Sequence, residues 1–565
     1  MGRAHDHERG EPEVCQALDR CGHGLGASRF LSSLRTLSSA IRWLNRSLEG
    51  PARAGVKRCE PALMPAPMGP PRTRALVSRI PSVGRDSAVL APSYVVPGLA
   101  SLLSIPVLFA TLGPAQYGIL ALILAVANGV PQLTTGWLEA VVVRFAHRPE
   151  FHMPVRGVVT ALLGSCLVSG VLSAVFIPTA DVVVAASTAL LTGTIGAYLV
   201  ATARLQAMLR FGAVSGGAVV RAIVGTVGSV AFAVAFGTAV AAAVGFAVGF
   251  GLGTAVLVMA PSKPAKTRVA FPAEARVKRE PQGESRRDIA GYGFGSLAVA
   301  GFLYLLSVSD RFVLSSFRPL DEVGVYAATY GIVDLVFRLV PSVLFVVVRP
   351  RVFRAWDRGD APRVLSLVVI AADVLGWIIA LLSIGVILVA TIGDFLPIDA
   401  RLAGPIAIGL AAFVASTTFA LVYGAGLRQG RLAVHLGLAA ALNVGLNLVV
   451  VRSLGPYGAA AATAISYGAL LAMNLWALRG IVRISDGSGL RVWAVCFLAT
   501  VGNGVFAGTD LWPAAAVIST LILVAMSPHL ARLVRTFILS RAAEASEARL
   551  VASERPTAAS ERPME

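Results

Sequence analysis

LGPAQYGILALILAVANGVPQLTTGWLEAVVVR, residues 112–144, carries the pattern that decides the fold. A Gly-Pro turn opens it, an apolar run over 117–138 comes next, and Arg144 closes it. A hydrocarbon core of about 30 Å takes roughly 20 apolar residues in a helix, so the run reads as one crossing with a basic stop. Comparable runs fall at 89–110, 157–177, 181–203, 213–236, 238–260, 290–309, 323–348, 364–390, 403–425, 432–451, 457–478, 491–508 and 512–528. The expected fold is an all-α membrane protein of about fourteen transmembrane helices. Composition agrees, with 56% hydrophobic residues and a mean hydropathy of +0.74. The charged share, 14%, lies well below the roughly 25% of soluble domains.

The net charge of +18 is explained by where the basic residues sit. Arg72, Arg74, Arg79 and Arg85 precede the first run. With a cytoplasmic start, the inner loops hold Arg144, Arg148 and Arg156, then Arg204 and Arg210, and later Arg349, Arg351, Arg354, Arg358 and Arg363. Arg428, Arg431, Arg479 and Arg483 fall on the same side, and 261–289 adds eight Lys and Arg. The opposite loops offer Arg311, Arg318, Arg401 and Arg452. Basic loops mark the cytoplasmic side, so a multi-pass protein of the inner (cytoplasmic) membrane is expected, with its N-terminus inside. The same distribution argues against a nucleic-acid partner, which needs a continuous basic surface.

The chain divides into six segments. Residues 1–85 are polar and rich in Arg, Pro, Gly and Ser, without the ordered parts of a signal peptide. They are expected to be a disordered cytoplasmic tail, or else to precede a true start at Met64 or Met68. Residues 86–260 form an N-terminal transmembrane lobe, 261–289 a basic cytoplasmic linker, and 290–480 a C-terminal transmembrane lobe. An extra helix pair over 481–530 and a disordered cytoplasmic tail over 531–565 complete the chain.

Internal similarity supports the two lobes. Leu-Gly-Pro-Ala-Gln-Tyr-Gly at 112–118 has its counterpart in Arg-Pro-Leu-Asp-Glu-Val-Gly-Val-Tyr at 318–326. The helix after each turn ends alike, in Ala-Val-Val-Val-Arg (140–144) and Phe-Val-Val-Val-Arg (345–349). Parallel repeats of this kind mark many transporters, with the substrate path between the halves.

Three stretches carry a family resemblance: Leu-Gly-Pro-x-x-Tyr-Gly at 112–118, Ser-Asp-Arg-Phe-Val-Leu (309–314) before Val-Gly-Val-Tyr-Ala (323–327), and Leu-Asn-Val-Gly-Leu-Asn-Leu (442–448) before Leu-Gly-Pro-Tyr-Gly-Ala-Ala-Ala-Ala-Thr (454–463). In order and spacing, from about residue 90 to 480, they resemble the polysaccharide-export flippases of the multidrug/oligosaccharidyl-lipid/polysaccharide transporter superfamily. The resemblance implies two six-helix lobes around a central cavity, alternating access, and a polyprenyl-diphosphate-linked oligosaccharide as cargo. Expected partners are that lipid-linked oligosaccharide and membrane lipids, with a polysaccharide polymerase and assembly proteins as further candidates. The long N-terminal tail departs from the family pattern.

Ionisable residues inside a membrane are costly and mark function by default. Arg338 follows Asp334 by one helical turn, so both share a face. Arg221 stands in the opposite lobe and Asp373 midway along the ninth run. One reading sets Arg221 and Arg338 on the diphosphate, with Asp334 and Asp373 compensating the arginines between cycles. The other makes Asp334–Arg338 a structural ion pair and lets Arg221 snorkel to the inner surface. Asp310 and Arg311 close the seventh run as a candidate gate or an interfacial anchor. Asn443 and Asn447 share a face, where they touch sugars or, as is commoner for membrane asparagines, bond between helices.

Other chemistries lack their residues. Cys15, Cys21 and Cys59 lie in the tail and Cys166 and Cys496 in apolar runs, with no metal-site spacing. Gly245, Gly249 and Gly253 repeat every fourth residue, a close-packing pattern. Gly291, Gly293 and Gly295 open a membrane helix rather than follow a strand, and no phosphate loop with its lysine occurs. No cofactor, metal or direct use of ATP is expected. A membrane glycosyltransferase or polysaccharide polymerase is the enzyme alternative, and a drug/cation antiporter of the same superfamily the nearer one.

Overall fold

The computed structural model describes residues 89–136, 142, 155–178, 181–208, 210–260, 286–357, 359–393, 396–425, 429–478 and 491–553. The expected tail 1–85, most of the linker 261–289, and Arg144 and Arg148 lie outside the described residues. The described residues form an all-helical membrane fold. In chain order the elements are α1 (Pro92–Thr134), α2 (Val155–Phe176), α3 (Val182–Ala207), α4 (Phe211–Phe236), α5 (Ala239–Met259), α6 (Arg286–Phe317), α7 (Leu320–Asp357), α8 (Ala361–Ile392), α9 (Ala400–Ala425), α10 (Gln429–Leu478), α11 (Arg491–Phe506) and α12 (Trp512–Ser553). The expected runs map onto these twelve elements, with α1 and α10 each taking up two of them. Ten are long and apolar enough to cross a membrane; α7, with Asp334 and Arg338 at mid-length, and the shorter α11 are not among those ten.

Two elements are double-length because each bends once. In α1 the break is Gly113 (φ 73°) and in α10 it is Gly455 (φ 56°). Both lie in the tripeptide Leu-Gly-Pro. A left-handed backbone costs a Cβ-bearing residue energy that glycine escapes, and the following proline supplies no backbone N–H to carry the helix through. One local sequence thus makes one local structure twice.

Two ends differ from expectation. The seventh run is expected to stop at 309, yet α6 continues to Phe317 and takes Asp310 and Arg311 into its interior. Residues 531–553, expected to be disordered, are the continuation of α12. The apolar stretch ends near Arg532, but Ala, Leu, Arg and Glu dominate residues 533–553 and no glycine interrupts them, so helix propensity carries the element on.

Packing sorts the helices into groups. The first five pack on one another, most closely α4 on α5; α6 to α10 form a second group, with α11 and α12 laid against α8. The groups meet along α1, which faces α6 and α7. The repeating glycines of α5 explain its tight fit. A Cβ on Gly253 would lie 3.0 Å from the Gly217 carbonyl oxygen, one on Gly249 would overlap the Gly225 Cα, and one on Gly245 would overlap the Gly228 carbonyl carbon. Backbones in such contact gain dispersion energy, which lipid cannot supply equally to both helices. Outward faces carry exposed Leu163, Leu167, Val227 and Val524, an apolar surface suited to lipid rather than water.

Candidate functional site

Charge is concentrated in the second group. Tyr326, Tyr330, Asp334 and Arg338 succeed one another at every fourth residue of α7, and that spacing aligns them as one stripe. Arg338 stands at mid-helix, 338 − 320 = 18 residues from the start of α7 and 357 − 338 = 19 from its end. Its Nε donates to Asp334 Oδ1, and its guanidinium lies 5.1 Å from the centroid of Phe413 on α9. The Arg338 side chain still keeps 37% of its surface accessible and Asp334 24%. The pair thus combines protein contacts with accessible surface at mid-helix, and charges so placed require water or polar neighbours, since lipid would leave both without solvation.

Two turns back along the stripe, the Tyr330 hydroxyl meets that of Tyr467 on α10 at 3.3 Å. Arg311 of α6 rests its guanidinium 5.3 Å from the Tyr330 ring centroid. Tyr330 thereby stands between two arginines, and the Arg311 Nε has no hydrogen-bond partner. Cation–ring contacts contribute about 0.5–2 kcal/mol each, and the neighbouring Asp310 carboxylate offsets part of the Arg311 charge.

Asp310 is buried, where its Oδ2 accepts from the Tyr326 hydroxyl at 2.5 Å and its Oδ1 from the Arg311 backbone N–H at 2.8 Å. Beside it Ser309 donates to Asn443 Oδ1 at 2.9 Å. Asn447 Nδ2 donates to the Asn443 carbonyl at 2.9 Å and to its Oδ1 at 3.0 Å, and Asn443 Nδ2 donates to Thr463 Oγ1 at 3.4 Å. The asparagines thus bond α6 to both limbs of the bent α10. A buried network of this kind fixes the helices relative to one another, because each unmade bond would strand a polar atom in an apolar setting.

The remaining candidates lie apart. Arg221, on α4, has its guanidinium 5.1 Å from the Tyr198 centroid and 4.9 Å from that of Phe250. Those rings belong to α3 and α5, so Arg221 is enclosed by its own group, and its Nε is buried without a partner. Among the described side chains Asp373 has no arginine partner; its Oδ1 accepts from the Trp493 backbone N–H at 2.9 Å. Trp493 is the third residue of α11, where backbone N–H groups lack intrahelical partners, so Asp373 caps that helix from α8. An apolar pocket lined by Leu375, Ile379, Val414, Trp493, Phe497 and Thr500 lies beside it and holds no charged side chain.

The sequence reading passes over Tyr326, Tyr330, Phe413, Ser309, Thr463 and Tyr467. For the two α7 tyrosines a signal exists, since they extend the Asp334–Arg338 spacing upstream.

No family of known proteins and no curated protein sequence matches the chain. Solved structures do. The lipid II flippase MurJ in its inward closed conformation superposes with a TM-score of 0.55 at 15% identity, over 78% of this chain and 98% of that one. The eukaryotic MATE transporter AtDTX14 gives 0.44 at 13% identity, over 76% and 98%. An outward-facing multidrug resistance MATE family transporter of the MOP superfamily gives 0.45 at 15%, over 72% and 97%. The likeness to MurJ is one of fold: the chain shares the helical fold of that structure.

Proposed function

We propose that the chain is a flippase that moves a polyprenyl-diphosphate-linked oligosaccharide across the cytoplasmic membrane for cell-surface polysaccharide synthesis. The observation that carries the reading is Arg338: mid-helix, accessible, and held in place by Asp334 and Phe413. Such a guanidinium offers forked donors to a diphosphate, and the rest of the stripe supplies tyrosine hydroxyls. Arg311 is the second cation of the site. Arg221, enclosed between rings, belongs to the packing of the first group. The similarity in fold to a lipid II flippase and the export-flippase motifs support the same reading.

In this account the two helix groups are lobes that rock about a central cavity, the one the family resemblance implies. The lipid tail stays in the bilayer while the headgroup and glycan cross beside Arg338. Each elementary charge moved through the membrane potential contributes about 2.3 kcal/mol per 100 mV, enough to bias the cycle. The N-terminus is cytoplasmic by the distribution of arginines.

The test is the leaflet distribution of lipid-linked oligosaccharide in cells depleted of the protein and complemented with wild type or Arg338→Ala. Build-up in the cytoplasmic leaflet, cured by wild type and not by the variant, is the expected result. An unchanged distribution with altered glycan length would point to a polymerising enzyme. Restored drug resistance without any lipid phenotype would point to an antiporter.

A further inference from the structure

The line along which the two helix groups meet is built from glycines in a near-twofold arrangement. A Cβ on Gly118 would stand 2.5 Å from the Leu320 carbonyl oxygen and 3.1 Å from the Gly324 nitrogen. One on Gly324 would overlap the Pro114 carbonyl oxygen and stand 3.2 Å from the Gly118 nitrogen. These are the turn glycines of the two repeated motifs, and each abuts the other's turn. Farther along the helices the relation recurs. Leu133 lies 133 − 118 = 15 residues beyond its glycine, and Leu339 lies 339 − 324 = 15 beyond its own. Leu133 packs where a Cβ on Gly301 would come within 2.8 Å, and Leu339 where one on Gly98 would come within 3.0 Å. Each turn also ties back to its own group. Gln116, two before Gly118, accepts from the Ala239 N–H at the start of α5 at 3.0 Å. Glu322, two before Gly324, bonds Arg318 beside the bend at Gly455.

We infer that Gly118 and Gly324 form a backbone-on-backbone latch that closes this end of the seam between the two helix groups. At Gly118 and Gly324 backbone meets backbone and, among the described residues, no ion pair crosses the seam there, so the latch opens and shuts with little change in bonding. Closure depends on both positions lacking a Cβ, because the atoms a methyl would strike are main-chain atoms within helices and cannot turn aside. Gln116 and Glu322 make each half of the latch rigid with its own bundle, so parting the glycines parts the groups. The inference rests on the proposed rocking motion but is independent of the cargo.

The test uses paired spin labels in cysteine-free full-length protein. Val182→Cys and Ser453→Cys report across the seam at this end, and Val182→Cys with Ala235→Cys reports within the first group; all three positions are exposed. Gly118→Ala and Gly324→Ala should each move the cross-seam distances toward a longer population, changing the closed-to-open ratio by roughly tenfold, the effect expected of one overpacked methyl. Gly251→Ala, at a glycine with open space around its Cβ position, should change nothing. An unaltered cross-seam distance in both latch variants overturns the latch. If the within-group distance also spreads, the variant has unfolded, and the decision passes to the unsubstituted seam. There a bis-maleimide joining Ala115→Cys to Asp321→Cys should form, and its failure to form overturns the inference. Distances that shift in a protein that moves no lipid-linked oligosaccharide would uphold the latch and reject the proposed cargo.

Discussion

The first and second helix groups share a frame and differ in chemistry. In the first, buried polar residues are mostly Ser and Thr bonded to their own helices: Thr188 and Thr192 each donate to a carbonyl four residues back. Arg221 is its one charged side chain standing more than a turn from a helix end among the described residues. In the second group Asp310, Arg311, Asp334, Arg338, Asp373, Asn443 and Asn447 all lie within helices, and Asp310, Asp373 and Asn443 are hydrogen-bonded across elements. The repeat shares turns and seam glycines, while ionisable residues are concentrated in the second group. Under the proposed function the frame would be the means of moving and the stripe on α7 the place where cargo is held.

Substitution of the α7 pair should show the largest effect. Hydrogen bonds to charged groups contribute about 1.5–3 kcal/mol each, so Arg338→Ala should lower transport roughly tenfold to a hundredfold. Arg338→Lys should recover part of it, since an ammonium keeps the charge and loses the fork. Initial rates of lipid-linked oligosaccharide transfer in proteoliposomes measure both. Equal losses from Arg221→Ala would break the asymmetry, because they would place cargo contacts in each group.

A second contrast tests the frame alone. Gly249→Leu sets a side chain against the Gly225 backbone and should destabilise the first group by about 1–3 kcal/mol, seen as a lower melting midpoint in detergent. Gly251→Leu, two residues on and facing open space, should leave the midpoint where it was. Within the second group, Asp310→Asn and Tyr326→Phe should each cost about 1 kcal/mol, and their sum should exceed the double variant's cost, because both remove one hydrogen bond. Additive costs would mean that the 2.5 Å contact contributes nothing to stability.

The legible features are those that depend on near neighbours in sequence. Runs of 20 apolar residues, two Leu-Gly-Pro bends and the i,i+4 relation of Asp334 and Arg338 all come from local rules. The end of α6 is illegible because Asp310 and Arg311 look like a terminus to any reading that prices charge in lipid; their cost is offset by Tyr326 and Tyr330, and nothing in residues 309–314 announces those partners. The role of Asp373 is hidden for the same reason, since Trp493 lies 120 residues away. The seam is half visible. The repeated turns stand out in sequence, but that each presses on the other is a fact of tertiary packing.

Arg221 gives the smallest expected effect and the sharpest discrimination. Its guanidinium has ring faces on two sides and, among the described residues, no carboxylate, so its favourable contacts total about 1–2 kcal/mol against a desolvation cost of similar or greater size. Arg221→Met keeps the length and the apolar contact with Tyr198 and Phe250, and sulfur packs well on rings. The melting midpoint should then change by less than about 1 kcal/mol in equivalent stability, and transport should stay within roughly threefold of wild type. A large fall in transport at an unchanged midpoint would show that the first group supplies a cation to the cargo after all. A large rise in stability with transport lost would show instead that the protein bears the cost of an unpaired arginine for function, as intramembrane charges commonly are borne.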